Sequence, residues 1–267
     1  MTTTGITAAG EIPRTPLRRA FEVAATELAA VGVQLRRLDD QQWQLPTACA
    51  GWSVHDVAAH ILGNIEEQSR PWQMFRRIRR ARGDYPDLGV LDGHNECQVR
   101  DVHALTPAEM VARLDRLGPP ALRAMRRIPA PLRRMRFSRV FPEARDQPED
   151  SVDFLVRVLG IRDIWMHRVD IADAVDQVPD LDEHDREVVA QVVRDVATAW
   201  TGAPVLLDLG GPGGGQWTIG TGAPIATLTA DAVAFLRQLS GRPARGELTA
   251  TGDSTAGAQI LALRIPF

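Results

Sequence analysis

The sequence contains no lysine; all 31 of its basic residues are arginine. Without an ε-amino group there is no Schiff-base nucleophile, no attachment point for pyridoxal phosphate and no lysine for a phosphate-binding P-loop. Only two cysteines are present, Cys49 and Cys97, too few for a disulfide framework, and both are expected as free thiols. No window reaches eighteen uninterrupted apolar residues, and Met1 to Gly10 carries neither a basic start nor an apolar stretch. A cytoplasmic protein with no membrane span and no signal peptide is therefore expected. A net charge of -3 argues against a dedicated nucleic-acid binder. Arginines do gather at Arg76, Arg77, Arg79, Arg80 and Arg82, and again from Arg123 to Arg139. There, solvated helix faces or oligomer contacts are expected ahead of an anion site.

Apolar material is ample, at 44% of 267 residues, enough for one large domain or two ordinary ones. In residues 15 to 39 the positions Leu17, Phe21, Ala24, Ala25, Leu28, Val31, Leu35 and Leu38 recur at three and four, which predicts an amphipathic helix. Ser53 with Asp56 three residues later makes a capping-box pattern, so a second helix is expected from about Val54. Asp84, Pro86, Gly89 and Gly93 break the pattern, a shorter helix is expected over 94 to 103, and Thr106 with Glu109 caps another reaching about Ile128. Pro129 to Pro148 reads as irregular, and helical periodicity returns from Val152 to Val175. From about residue 181 the texture changes to a helix (Glu183 to Trp200) followed by short strand-like runs at 204 to 209, 216 to 220 and 224 to 229. A helical stretch at 230 to 240, a strand near Glu247 to Thr251 and a last helix from Ser254 to Leu263 complete a separate α+β unit.

Asp163 and His167 stand four apart and so share one helix face, as two ligands of one metal ion require. Three of the six histidines have an acid four residues earlier, the other two pairs being Asp56 with His60 and Asp180 with His184, so spacing alone decides nothing. His60 lies among Ala58, Ala59, Ile61 and Leu62, on a helix face that points inward. A buried imidazole needs a partner, and a facing helix carrying an inward His and Asp supplies one. Asp56 is assigned to capping. His55 lies about 140° around the helix from His60, so the two cannot share one ion, and His55 is expected exposed. His94, His103 and His184 are expected as surface or loop residues. The run Gly210, Gly211, Gly213, Gly214 and Gly215 lies between strand-like segments and opens no helix, so a hairpin turn is expected. Cys49, just before the second helix, is read as a buried structural thiol ahead of a reactive one.

The segment Gly51-Trp52-Ser53-Val54-His55-Asp56-Val57-Ala58-Ala59-His60 resembles the second-helix motif of the mycothiol-dependent maleylpyruvate isomerase family. Arg162-Asp163-Ile164-Trp165-Met166-His167-Arg168-Val169-Asp170 resembles that family's last bundle helix. The resemblance implies an α+β chain, with a DinB-like four-helix bundle over about residues 12 to 180 and a small α+β domain similar to sterol-carrier proteins over 181 to 267. It implies that His60, Asp163 and His167 hold a divalent metal, usually zinc in the family, with aspartate standing where the family pattern has glutamate; imidazole and carboxylate ligands also suit nickel. It also implies a C-terminal arginine that meets substrate, for which Arg237 and Arg242 are the candidates.

Three protein ligands leave positions open on such an ion for water or a thiol. The leading expectation is a metal-dependent enzyme in which a low-molecular-weight thiol, mycothiol by the resemblance, adds to a small electrophile. The outcome is S-transfer or cis-trans isomerisation of a substrate such as maleylpyruvate. The alternatives are a metal-dependent hydrolase, active without thiol, a non-catalytic small-molecule or metal binder, and a metal-free structural cluster. No nucleic acid or membrane partner is expected, and the state is expected to be monomer or homodimer.

Overall fold

The structure, a computed structural model, describes residues 5–145 and 149–267. The chain divides into two compact units, Leu17–Pro179 and a second made of Met1–Pro16 with Asp180–Phe267.

In the first unit, the three-and-four spacing of residues 15 to 39 gives α1 (Leu17–Arg36), which buries Phe21, Leu28, Val31 and Leu35 on one face. Helix α2 (Val54–Ser69) opens on a capping box. The Asp56 amide donates to Ser53 Oγ, and the Ser53 amide donates to the Asp56 carboxylate. Next come α3 (Trp72–Asp84), α4 (Val90–Val102) and α5 (Pro107–Arg126), the last capped by Thr106 and Glu109. Short turns follow, including α6 (Ala130–Arg133), and then α7 (Val152–Phe154), a five-residue π-helical segment at Leu155–Leu159, and α8 (Gly160–Ala174). Helices α1, α2, α5 and α8 pack together as the four-helix bundle. Its core is built from residues such as Val31, Leu35, Ile61, Leu62, Met110, Leu114, Ile164 and Ile171. Helices α3 and α4 pair with each other, and α4 lies against α2.

Helix α3 has no counterpart among the sequence expectations, and α4 begins four residues earlier than expected. The reason is local: α3 buries only Arg77, Ile78 and Ala81, too few apolar positions to write a periodicity. Arg77 corrects the expectation of a solvated arginine face. It is buried and donates to the Gly63 carbonyl, Glu66, Glu67 and Asp101. The stretch expected as irregular consists of single turns whose Phe137, Phe141 and Ala144 pack on Ile78, Phe154 and Val158. Its last three residues, 146–148, lie outside the described residues.

In the second unit, α9 (Glu183–Ala199), capped by Asp182, precedes a mixed five-stranded sheet in the order β1-β3-β2-β4-β5. Strands β2 (Val205–Gly210) and β3 (Gly215–Ile219) form an antiparallel hairpin. Gly211 and Gly213 turn it with φ of 76° and 77°, values a side chain disfavours, so the glycine run is the hairpin turn that was expected. Strand β4 (Ala226–Asp231) pairs parallel with β2, and β5 (Leu248–Gly252) antiparallel with β4. Inward Val205, Leu207 and Leu209 alternate along β2 with less buried neighbours, the period of two that one covered sheet face demands. Helices α10 (Ala232–Leu239) and α11 (Ser254–Ala262) complete the unit. Strand β1 (Thr7–Ala8) pairs parallel with β3, so the amino-terminal segment belongs to this unit. A two-residue strand leaves no periodicity for a sequence reading to detect. Among the described residues, no helix is long and apolar enough to cross a membrane.

Candidate metal centre

His60 lies in the second turn of α2, and Asp163 and His167 lie one turn apart on α8. The bundle brings all three together. His60 Nε2 is 3.5 Å from Asp163 Oδ2, and His167 Nε2 is 3.4 Å from Asp163 Oδ1. These separations are long for charge-assisted hydrogen bonds, which close to about 2.7–2.9 Å. They are close to the ligand-to-ligand spacing of about 3.3–3.4 Å around a central ion with bonds of about 2.0–2.1 Å, with each imidazole facing its own oxygen of the carboxylate. Both imidazoles are buried, whereas the Asp163 side chain retains 24% exposure. The donor set therefore fits a divalent ion.

Electrostatics within the triad agree with that geometry. Burial alone would raise the Asp163 carboxyl, but the His167 and His60 imidazoles outweigh it and hold it well below the usual carboxylate range. Burial likewise pulls His167 down, and Asp163 foremost, with Asp170 and Cys49 behind, holds it well above the ordinary histidine range. Asp163 thus supplies the negative charge that draws a cation, proton or metal ion, to the imidazole nitrogens.

Four neighbours frame the triad. On the far side of the His167 ring, Nδ1 faces Asp170 Oδ2 at 3.3 Å and Cys49 Sγ at 3.8 Å, and the Cys49 thiol donates to Asp170 at 3.4 Å. A carboxylate behind a ligating imidazole fixes its tautomer and orientation. The Trp52 ring lies 5.1 Å from the His60 ring, its Nε1 donating to Glu96 at 2.7 Å. Asn64 Nδ2 donates to Asp163 Oδ2 and toward His60 Nε2, each at 3.3 Å. Asp170 follows His167 by three and Asn64 follows His60 by four, so helical spacing could have flagged both. Trp52 and Cys49 come from the loop before α2, whose path no periodicity predicts.

Three histidine expectations are corrected. His55 is buried, with its Nε2 at 3.0 Å from the Leu105 carbonyl. His94 is buried on α4 with Nε2 at 3.0 Å from the Glu67 carboxylate, and His184 is buried with its Nδ1 on Asp182. In each case a polar partner distant or local in sequence satisfies the ring, which apolar patterning cannot reveal. His103 is exposed as expected, though paired with Asp56. Of the arginine candidates, Arg237 is buried on α10 and its Nε donates to the Pro243 carbonyl at 2.7 Å. The Arg242 amide donates to the Arg237 carbonyl.

The family model described as the mycothiol maleylpyruvate isomerase N-terminal domain matches residues 9–172. A solved structure titled as the mycothiol-dependent maleylpyruvate isomerase aligns with a TM-score of 0.56 at 16% identity, covering 93% of this chain and 97% of that one. A histidine-to-alanine mutant of that enzyme aligns over the same shares with a TM-score of 0.56 at 15% identity. At such identities the likeness is one of fold. No curated protein matches the chain.

Proposed function

We propose a reaction for this chain from one premise: it belongs to the mycothiol maleylpyruvate isomerase N-terminal domain family. The reading is a metal-dependent enzyme that uses a low-molecular-weight thiol, mycothiol, to add to a small electrophile such as maleylpyruvate. It acts in the cytoplasm, where such thiols are kept reduced. The observation that carries the reading is the convergence of His60, Asp163 and His167, whose ligand atoms lie within 4.8 Å of one another.

Zinc or nickel bound there would favour the thiolate form of the thiol near neutral pH. The chain's own residues do the rest. Asp163 and the two imidazoles would hold the ion, and Asp170 holds the His167 ring in one tautomer through Nδ1. The Trp52 ring packs beside the His60 ring, 5.1 Å away. For the anionic group of the substrate, Arg237 or Arg242 is the proposal carried from the sequence. Addition of the thiolate to a carbon of the cis double bond leaves a single bond, rotation follows, and elimination restores the double bond as trans and returns the thiol.

Elemental analysis of the purified protein tests the centre, with His167→Ala beside it. About one metal per chain, lost in the variant, is expected. Maleylpyruvate turnover is then measured with mycothiol present and omitted. A wild type that stays empty after zinc or nickel reconstitution overturns the reading, and turnover that persists without thiol replaces it with hydrolysis.

A further inference from the structure

The Asn64 amide lies against two of the three donors, His60 and Asp163, and something outside the centre determines which of its ends faces them. Its Oδ1 accepts from Gln98 Nε2 at 3.0 Å, which turns the amide NH2 toward Asp163 Oδ2 and His60 Nε2. Gln98 is fully buried on α4. Its own carbonyl has no hydrogen-bond partner among the described residues, so Asn64 is the one partner its side chain engages. Burying an unsatisfied amide oxygen costs stability, and what the cost secures is the orientation of Asn64. The backbone supports this contact. A Cβ on Gly63, the residue before Asn64, would lie 2.6 Å from Gln98 Cβ, so only glycine there lets α4 approach α2 closely enough for the amides to meet.

The two N–H groups of Asn64 then have different fates. One donates to Asp163, whose carboxylate has lone pairs to spare. The other points toward His60 Nε2, and a lone pair that serves a metal ion cannot also accept a proton. With an ion on His60 Nε2, that N–H would be free to donate to an anion bound at the centre.

We propose that Asn64 recognises the bound thiol, its side-chain NH2 donating to the thiolate sulfur at the His60, Asp163 and His167 centre, and that Gln98 is the positioning residue that fixes the amide for this task. The assignment rests on the thiol-transfer reading above and adds to it a residue that discriminates a bound thiolate from an empty position.

The test uses the full chain loaded with cobalt(II), titrated with mycothiol, reading the near-ultraviolet thiolate-to-cobalt absorption, with cobalt affinity measured separately by chelator competition. Asn64→Leu keeps the branched shape at a larger volume and removes the donor. It is expected to weaken mycothiol binding roughly ten- to a hundredfold, as for a hydrogen bond to a charged acceptor, and to raise the pH midpoint of band formation by about one unit or more, with cobalt affinity little changed. Gln98→Leu removes a buried carbonyl that has no partner together with the donor to Asn64 Oδ1; its fold is checked by circular dichroism, and it is expected to show the same two shifts at roughly two- to tenfold. Thiol titrations and pH midpoints like wild type in both variants overturn the assignment alone. Loss of cobalt affinity in Asn64→Leu parallel to the loss of thiol also overturns it, since Asn64 would then be holding the metal. A wild type that takes cobalt yet gives no thiolate band overturns both the assignment and the thiol-transfer reading.

Discussion

Asp170 Oδ2 and His167 Nδ1 stand 3.3 Å apart, on the side of the imidazole away from Asp163. The carboxylate is fully buried and also accepts from the Cys49 thiol. It therefore acts on the centre through the ring it orients. Asp170→Asn preserves shape and removes the charge that holds Nδ1 protonated. Its metal affinity is expected to fall by about 10–100-fold, measured by chelator competition, with the helical circular dichroism unchanged. Affinity equal to wild type would show that the ring is oriented by packing alone.

Gly63→Ala tests the approach of α4 to α2. The added Cβ meets Gln98 Cβ at 2.6 Å and Gln98 Cγ at 3.0 Å, and the first of these is not the far end of a flexible side chain. One helix has to move. A loss of about 1–3 kcal/mol in urea unfolding is expected, the range of an overpacked core position, although alanine is intrinsically the better helix former by about 1 kcal/mol. A variant more stable than wild type would mean that the two helices are free to separate.

The legibility of this chain in its sequence follows burial and period. Helices α1 and α2 were readable because Leu28, Val31, Leu35, Ile61 and Leu62 repeat at helical spacing and all enter one core, and because Ser53 and Asp56 write a capping box. The cluster was suggested by the apolar neighbours of His60 and by the four-residue spacing of Asp163 and His167, and its three members were singled out by the family resemblance of their two segments. Helix α3 was not, since its main buried contact is an arginine. Nor were the positions of His55, His94 and His184, whose burial depends on a carbonyl or carboxylate that only the folded chain supplies. Asn64 and Gln98 lie 34 residues apart, and no periodicity connects an amide on one helix with an amide on another.

The Asp101 carboxyl gives the unit an acid-sensitive contact. Burial would raise it, but Arg80 and Arg77 donate to it and hold it below its ordinary value of 3.8. A carboxylate lowered in the folded state contributes stability above its unfolded value, and that contribution is lost as the pH falls through the lower folded value. Asp101→Asn is therefore expected to be less stable than wild type at neutral pH, with the difference shrinking as the pH is taken below about 4. Denaturant midpoints recorded from pH 7 to pH 3 measure it, and a constant difference across that range would exclude the linkage.

Arg77 is the hub to which that contact belongs. Its guanidinium donates to Glu66 and Glu67 at 2.9 Å each, to Asp101 at 2.9 Å and to the Gly63 carbonyl at 3.0 Å, joining α2, α3 and α4 through one buried side chain. Arg77→Met keeps the aliphatic volume and leaves three carboxylates without their shared cation. Breaking a buried ionic group by removing one partner costs about 3–5 kcal/mol. Arg77→Lys keeps the charge but cannot reproduce the fork that reaches four acceptors, so it is expected to recover only part of that loss. Because Gly63 and Asn64 are consecutive on α2, the loss is also expected to reach the centre, lowering metal affinity in Arg77→Met. Urea unfolding and chelator competition on the same samples separate the two effects. Arg77→Lys matching wild type in both would show that a positive charge, rather than the guanidinium geometry, is what α3 brings to the bundle.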